Sequence, residues 1–291
     1  APEDFALWKF KREGEPSWDG PGGEGRPGWH IECSAMIHKH LGPTIDIHAG
    51  GQDLIFPHHE NEIAQSEACH DAPLAKYWLH NAHINIDGVK LSKSLGNSIK
   101  VRDMAEIWTY PVLRYFIAQA NYRSTINVDD ESLRSAAQGL ERIKNIISRL
   151  RFLLQHTEEA SEEEIQTWLD FIDEQERKIY DAMDDDLNTA GALGELFILI
   201  HEFNQKEDEP GAKSKQVLER MLEVITTFTG ILGLQFADET LPDEVKDLLA
   251  QRQAAREKKD WATSDALRDK LMNLGFEVKD TAEGQQCTAI H

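Results

Sequence analysis

Cysteine is scarce. Cys33, Cys69 and Cys287 are the three among 291 residues, too few and too scattered for a disulfide framework, which points to a reducing compartment. Long apolar runs are also missing: no stretch approaches the roughly 20 residues that a membrane span requires. Positive charge is in the minority, with 31 Lys/Arg against 52 Asp/Glu and a formal net charge of −21. Blanket attraction to a polyanion is therefore excluded, and any nucleic-acid partner must be held by local basic patches and shape. The acidity is uneven: residues 1–125 hold 12 Lys/Arg against 16 Asp/Glu, or −4, and the remainder 19 against 36, or −17. No internal repeat and no low-complexity tract is present.

With 40% hydrophobic and 29% charged residues, the chain reads as a globular protein of two or three domains. The opening Ala1-Pro2-Glu3-Asp4-Phe5 has no signal-peptide or transit-peptide character and reads as the middle of a larger domain. Residues 14–28 are crowded with glycine and proline and read as an extended loop. Trp29 to Leu41 follows as a short helix. Thr44 to His48 alternates as a strand turned by Ala49-Gly50-Gly51, Leu54 to Cys69 is helical, and His80 to Ile86 alternates again. Strand, helix and strand at these spacings predict a parallel α/β layer over residues 1–100 whose loops carry the chemistry.

A connecting stem over 101–128 leads to a purely helical pattern over 129–235. Leu133, Leu140, Ile143, Ile147, Leu150 and Leu154 mark the apolar stripe of the first helix. Ser161 with Glu164 forms a capping box for the second, whose inward positions are Ile165, Leu169, Ile172, Ile179 and Met183. The third carries Leu193, Leu196, Phe197 and Ile200. The fourth runs from Lys213 to Phe228, with Gly230 as its left-handed cap. Four antiparallel helices predict a bundle. Helices beginning near Pro242 and Trp261, then a hairpin from Phe276 to Ile290, make residues 240–291 a small α+β appendage.

Two clusters carry chemistry. In His58-His59-Glu60-Asn61-Glu62, behind Pro57, His58 and Glu62 stand four apart on one face of a helix that Pro57 starts, the spacing of two metal ligands; Cys33 is a candidate third. In Lys90-Leu91-Ser92-Lys93-Ser94-Leu95-Gly96-Asn97, two lysines and two hydroxyls make a cationic loop suited to a triphosphate, at the end of a predicted strand.

Taken together, Gly25 to Met36, Asp46 to Glu62 and Lys90 to Ser94 resemble cysteinyl-tRNA synthetase, a class I aminoacyl-tRNA synthetase. The third segment is similar to that class's KMSKS loop with Leu91 in the methionine place. The resemblance continues through Leu113 to Phe116, Asn121 to Ser124, Met183 to Thr189, Arg256 to Trp261 and Asp265 to Arg268. It implies a Rossmann-like half-domain followed by an anticodon-binding bundle and the appendage. It also implies ATP-dependent activation of L-cysteine, with Mg2+, and transfer to tRNA(Cys) by a cytoplasmic monomer that binds no membrane. Cys33, His58 and Glu62 are implied as ligands of one Zn2+, and Trp29 and His30 as residues lining the cysteine pocket. Lys93, assisted by Lys90, is implied to stabilise the pyrophosphate leaving group, and Gly50, Gly51 and Asp53 to approach adenine and ribose. For tRNA, Arg142, Lys144, Arg149 and Arg151 give the first bundle helix a basic side. The family's HIGH signature and the cysteine upstream of it, a fourth zinc ligand, do not occur in the sequence, so the expectation is a C-terminal portion with an incomplete active site. Two rival readings stand beside this one: a cysteine ligase that joins the adenylate to an amino-sugar glycoside, and a non-catalytic tRNA-binding or zinc-structural module.

Overall fold

A computed structural model describes residues 4–20, 22–86, 88–90, 100–236, 241–281 and 284–289. Two compact units emerge. One holds the described residues up to Lys90 together with Tyr122–Asp129; the other holds Lys100–Asn121 and everything described from Asp130 on.

The first unit opens with strands β1 (Trp8–Phe10) and β2 (Gly25–Pro27), paired antiparallel, with Trp18 bridged to Gly25. The glycine-rich stretch expected to be an extended loop thus contributes a strand, because Gly25 lies against the Lys9 carbonyl where a side chain has no room. Helix α1 (Trp29–Leu41) occupies the expected span and packs on α2 (Glu60–His70). Strand β3 (Ile45–Gly51) lies parallel to β4 (Ala75–Asn81), with α2 in the connection. Ala49, Gly50 and Gly51 continue the strand and do not turn it, since Gly50 pairs with His80 and Gly51 with Asn81. The turn comes later, as a 3-10 segment at Gln52–Leu54 and a wide turn at Ile55–His59. The run expected as one strand from His80 splits between the end of β4 and β5 (Ile84–Ile86). β5 pairs antiparallel with β6 (Val89–Lys90) and parallel with β7 (Ile126–Val128).

The second unit begins with α3 (Val101–Trp108) and α4 (Tyr110–Ala118), which buries Leu113, Tyr115 and Phe116. The bundle consists of α5 (Asp130–Leu153), α6 (Glu162–Asp184), α7 (Thr189–Lys206) and α8 (Lys215–Ile231). Ser161 and Glu164 make the reciprocal capping box that satisfies two otherwise orphaned amides at the start of α6. Ile143, Leu150, Ile172, Leu196, Phe203, Val217, Met221 and Ile225 are sealed from solvent and make the core. The helix expected to stop at Gly230 runs on to Ile231, and the left-handed glycine that follows is Gly233, at φ +70°. The appendage consists of α9 (Asp243–Glu257), α10 (Trp261–Asn273) and the hairpin β8 (Phe276–Thr281) with β9 (Gly284–Ala289), closed over Val245, Leu271 and Val278. This is the sequence's α/β start, helical bundle and small appendage. Among the described residues no helix is long and apolar enough to cross a membrane.

Candidate active site

In the first unit, α1, the wide turn before α2, and the parallel strands β3 and β4 converge on a group of histidines. Within this turn only Phe56 has extended backbone angles, φ −131° and ψ 132°, so helical backbone starts at Pro57, as the sequence predicts, and runs on into α2 at Glu60. The turn still places His58 one helical step from Glu62: Nε2 of His58 stands 2.9 Å from Oε1 of Glu62. Cys33, on α1, completes a triad whose donor atoms all lie within 4.8 Å of one another. His58 and Glu62 are buried and Cys33 half-buried.

Buried charge has to be matched, and the surroundings of Glu62 do this in part. Its second oxygen meets His48 Nε2, on β3, at 2.6 Å. Oε1 has no well-aligned hydrogen-bond partner although it is fully buried. An orphaned carboxylate oxygen facing a thiol and an imidazole is a donor set of the kind that takes a borderline-soft cation. Burial, reinforced by the Glu62 charge, pushes the Cys33 thiol up to about 11, so without a cation this sulfur stays protonated. The residues therefore fit zinc, supplying three donors from this chain.

Burial disfavours the charged form of three histidines around the triad, His30, His59 and His80. His30 Nδ1 lies 2.8 Å from Nδ1 of His58, and burial lowers the pKa of His30, with the nearby His58 adding to the effect. His59 Nδ1 meets His80 Nε2 at 2.7 Å; burial takes His59 down to about 4 and lowers His80 as well. Trp29 stacks on His58 at 4.3 Å between centroids and 26° between planes, with more than half of its own surface exposed. Trp78 stands edge-on to His48 at 4.8 Å.

The expected residues divide accordingly. Trp29, His30, Cys33, His58 and Glu62 come together. Gly50 lies beside them, where an added Cβ would stand 2.8 Å from the His59 ring, and at Gly51 one would stand 2.6 Å from Asp53 Oδ1. Both glycines thus keep room for neighbouring side chains. Asp53 is exposed in the segment that follows. Lys90 is placed on β6 by its backbone, and Lys93 lies outside the described residues. On α5, Arg142 lies over the Phe197 ring at 4.5 Å and Arg149 is paired with Glu207. Sequence reasoning missed His48, His80 and Trp78. Their signal was the parallel pairing itself, which sets His48 beside Trp78 and Gly50 beside His80.

Residues 1–138 match the class I (C) tRNA synthetase catalytic domain, 178–237 the DALR domain, and 238–287 the cysteinyl-tRNA ligase anticodon-binding domain. A cysteine–tRNA ligase of Lachnospira eligens is 46% identical over 286 residues, covering 97% of this chain and 60% of the relative. One from Halalkalibacterium halodurans is 47% identical over 285 residues, covering 97% and 60%. The chain thus spans about 60% of the length of the curated relatives it matches. Among solved structures, a leucyl-tRNA synthetase in complex with tRNA, from Agrobacterium radiobacter, shares the fold with a TM-score of 0.59 at 14% identity, covering 74% of this chain and 33% of that one. Donor triad, three successive domain matches and nearly half-identical relatives agree: the chain belongs to the cysteinyl-tRNA synthetase family of class I aminoacyl-tRNA synthetases.

Proposed function

We propose that the polypeptide carrying this chain activates L-cysteine with ATP and Mg2+ and transfers the cysteinyl group to tRNA(Cys), as a cytoplasmic monomer. The observation that supports this best is the triad of half-buried Cys33 with buried His58 and Glu62 and its orphaned carboxylate oxygen. Zinc bound there would accept the substrate thiolate and disfavour the hydroxyl of serine, a distinction that an apolar pocket of the same shape makes poorly. The chain's own residues prepare that step. His30 occupies the second nitrogen of His58 and His48 the second oxygen of Glu62, so both ligands are fixed in orientation. Trp29 covers His58 and, with His30, walls the cysteine pocket.

Lys93 is assigned to the pyrophosphate leaving group, where charge builds only as the α-phosphate is attacked, and Lys90 assists it. Gly50, Gly51 and Asp53 line the approach to the nucleotide. The anticodon-binding match over 238–287 favours this reading over the amino-sugar ligase and over a zinc-structural module.

Cysteine-dependent exchange between ATP and pyrophosphate, measured on the polypeptide that carries these 291 residues, tests the proposal. The expected result is exchange with cysteine and almost none with serine, and a fall of orders of magnitude in Lys93→Ala with cysteine affinity retained. Exchange that is indifferent to cysteine would sink it.

A further inference from the structure

The two oxygens of Glu62 face different donors. Oε1 stands 2.9 Å from His58 Nε2, in the triad with Cys33. Oε2 meets His48 Nε2 at 2.6 Å, and His48, His59 and Glu62 form a second group whose donor atoms also lie within 4.8 Å of one another. His59 and Glu62 are buried and His48 is half-buried. The donors of a tetrahedral ion, at bonds of about 2.0–2.1 Å, stand about 3.4 Å apart, so this group closes on an ion with side-chain shifts of about 1 Å or less.

The way His59 is held suits a ligand. Its Nδ1 lies 2.7 Å from His80 Nε2, which leaves Nε2 for a bond to a cation. A ligating histidine almost always spends its other nitrogen on such a partner, which fixes the ring. His48 and Gly50 project from one face of β3, as alternate residues of a strand do. At Gly50 an added Cβ would stand 2.8 Å from His59 Cε1 and 3.0 Å from Nε2, so the glycine keeps that edge of the ring open. The His48 and His59 rings are 4.8 Å apart between centroids, tilted by 53°. Trp78 lies against both, at 4.8 Å from His48 and 5.2 Å from His59. This apolar cover lowers the local dielectric and strengthens the attraction between a cation and the carboxylate.

We propose that Glu62 serves two cations: the zinc held with Cys33 and His58, and a second divalent cation held by Glu62 Oε2, His48 and His59, with His80 as the positioning residue for His59. The inference rests on the zinc reading of the first triad and extends it. Two imidazoles and one carboxylate select an ion of the zinc, cobalt or nickel kind over magnesium and calcium, which take oxygen donors. The second ion binds more weakly than the first, because it brings no anionic donor of its own and meets the charge of the ion already present.

The test uses the polypeptide that carries these 291 residues, stripped of metal with a chelator and titrated with Zn2+ for stoichiometry and Co2+ for absorption. The parent should take one ion tightly and a second at higher free metal. The first should bring the sulfur-to-cobalt charge-transfer band of a thiolate ligand, and the second ligand-field absorption alone. His59→Gln should keep the first ion and lose the second. So should His48→Gln, whose amide can still donate to Glu62 Oε2. His80→Ala removes no ligand and should weaken the second ion about 10–100-fold while leaving the first unchanged. A parent that stops at one ion in millimolar free metal overturns the proposal, as does a second ion that persists in the His48→Gln, His59→Gln double variant. Where a ligand variant misfolds and loses both ions, His80→Ala decides, and an unchanged second affinity there refutes the assignment. The charge-transfer band separates the two readings. Its absence from the parent counts against zinc at Cys33, whereas one ion with a full band counts against this inference alone.

Discussion

His58 Nε2 faces Glu62 Oε1 at 2.9 Å across one helical step, without the alignment of a hydrogen bond, and the Cys33 sulfur completes the gap they leave. A site of this kind holds a cation by the sum of its donors, and the thiolate is the softest of them. Cys33→Ser should therefore lower zinc content to well below one per chain and erode the preference for cysteine over serine. Metal analysis of purified protein decides the point, and full occupancy in the variant would mark Cys33 as an ordinary buried thiol.

The bundle core makes a separate prediction. Phe203 is fully buried on α7, its ring meeting Trp168 of α6 edge-on at 6.0 Å between centroids. Phe203→Ala removes a large apolar surface from a packed interior and leaves a cavity, a loss of about 3–5 kcal/mol. Urea unfolding followed by circular dichroism should show it as a lowered midpoint with little change in slope. A loss under about 1 kcal/mol would mean that neighbouring helices collapse into the space.

Where α4 crosses α5, a glycine matters for a different reason. An added Cβ at Gly139 would stand 2.7 Å from the Tyr115 hydroxyl, and Tyr115 is itself buried. In an exposed helix, alanine for glycine stabilises by about 1 kcal/mol. Here the clash reverses the sign, and Gly139→Ala should destabilise by about 1–3 kcal/mol. Removing the hydroxyl in a Tyr115→Phe, Gly139→Ala double variant should recover a small part of that loss, because the ring carbons stay at 2.8–3.0 Å, and a stabilised single variant would overturn the prediction.

How much of this was legible beforehand follows from the range of the interactions. The capping box at Ser161 and Glu164, the span of α1 and the apolar stripe of α5 from Leu133 to Leu150 are local patterns of three, four and seven residues, and they fold as they read, whereas on α6 only Ile172 and Ile179 of the five expected inward residues are buried. The first unit read less well. Gly50 and Gly51 have the local preference of a turn, but tertiary crowding from the His59 ring and the Asp53 carboxylate makes glycine necessary within a strand. Trp168, buried on α6, was absent from the expected stripe because its neighbours Ile165 and Leu169 satisfied the periodicity equally well. His58 and Glu62 could be paired from spacing alone. His48 and His80 could not, since their place depends on which strands lie side by side.

The appendage hangs on a buried cation, and this gives a pH dependence. Arg252, on α9, is 1% exposed and holds Asp280 of β8 with two parallel hydrogen bonds of 2.8 and 2.9 Å, while Arg256 reaches the same carboxylate at 2.8 Å. The hydrogen bonds from Arg252 hold the Asp280 carboxyl below its ordinary value. A depressed carboxyl contributes stability that is present above the unfolded pKa, about 3.9, and is lost as pH falls through the folded value. Asp280→Asn should thus cost about 3 kcal/mol at neutral pH, the low end for stranding one partner of a buried pair, because the carboxylate is a third exposed. The gap between parent and variant should close as the pH is taken below about 4. Amide hydrogen exchange in β8 and β9 reads this locally, where global unfolding would blend it with the bundle. A difference of the same size at pH 7 and at pH 3 would show that the ion pair is not what fastens the hairpin to α9.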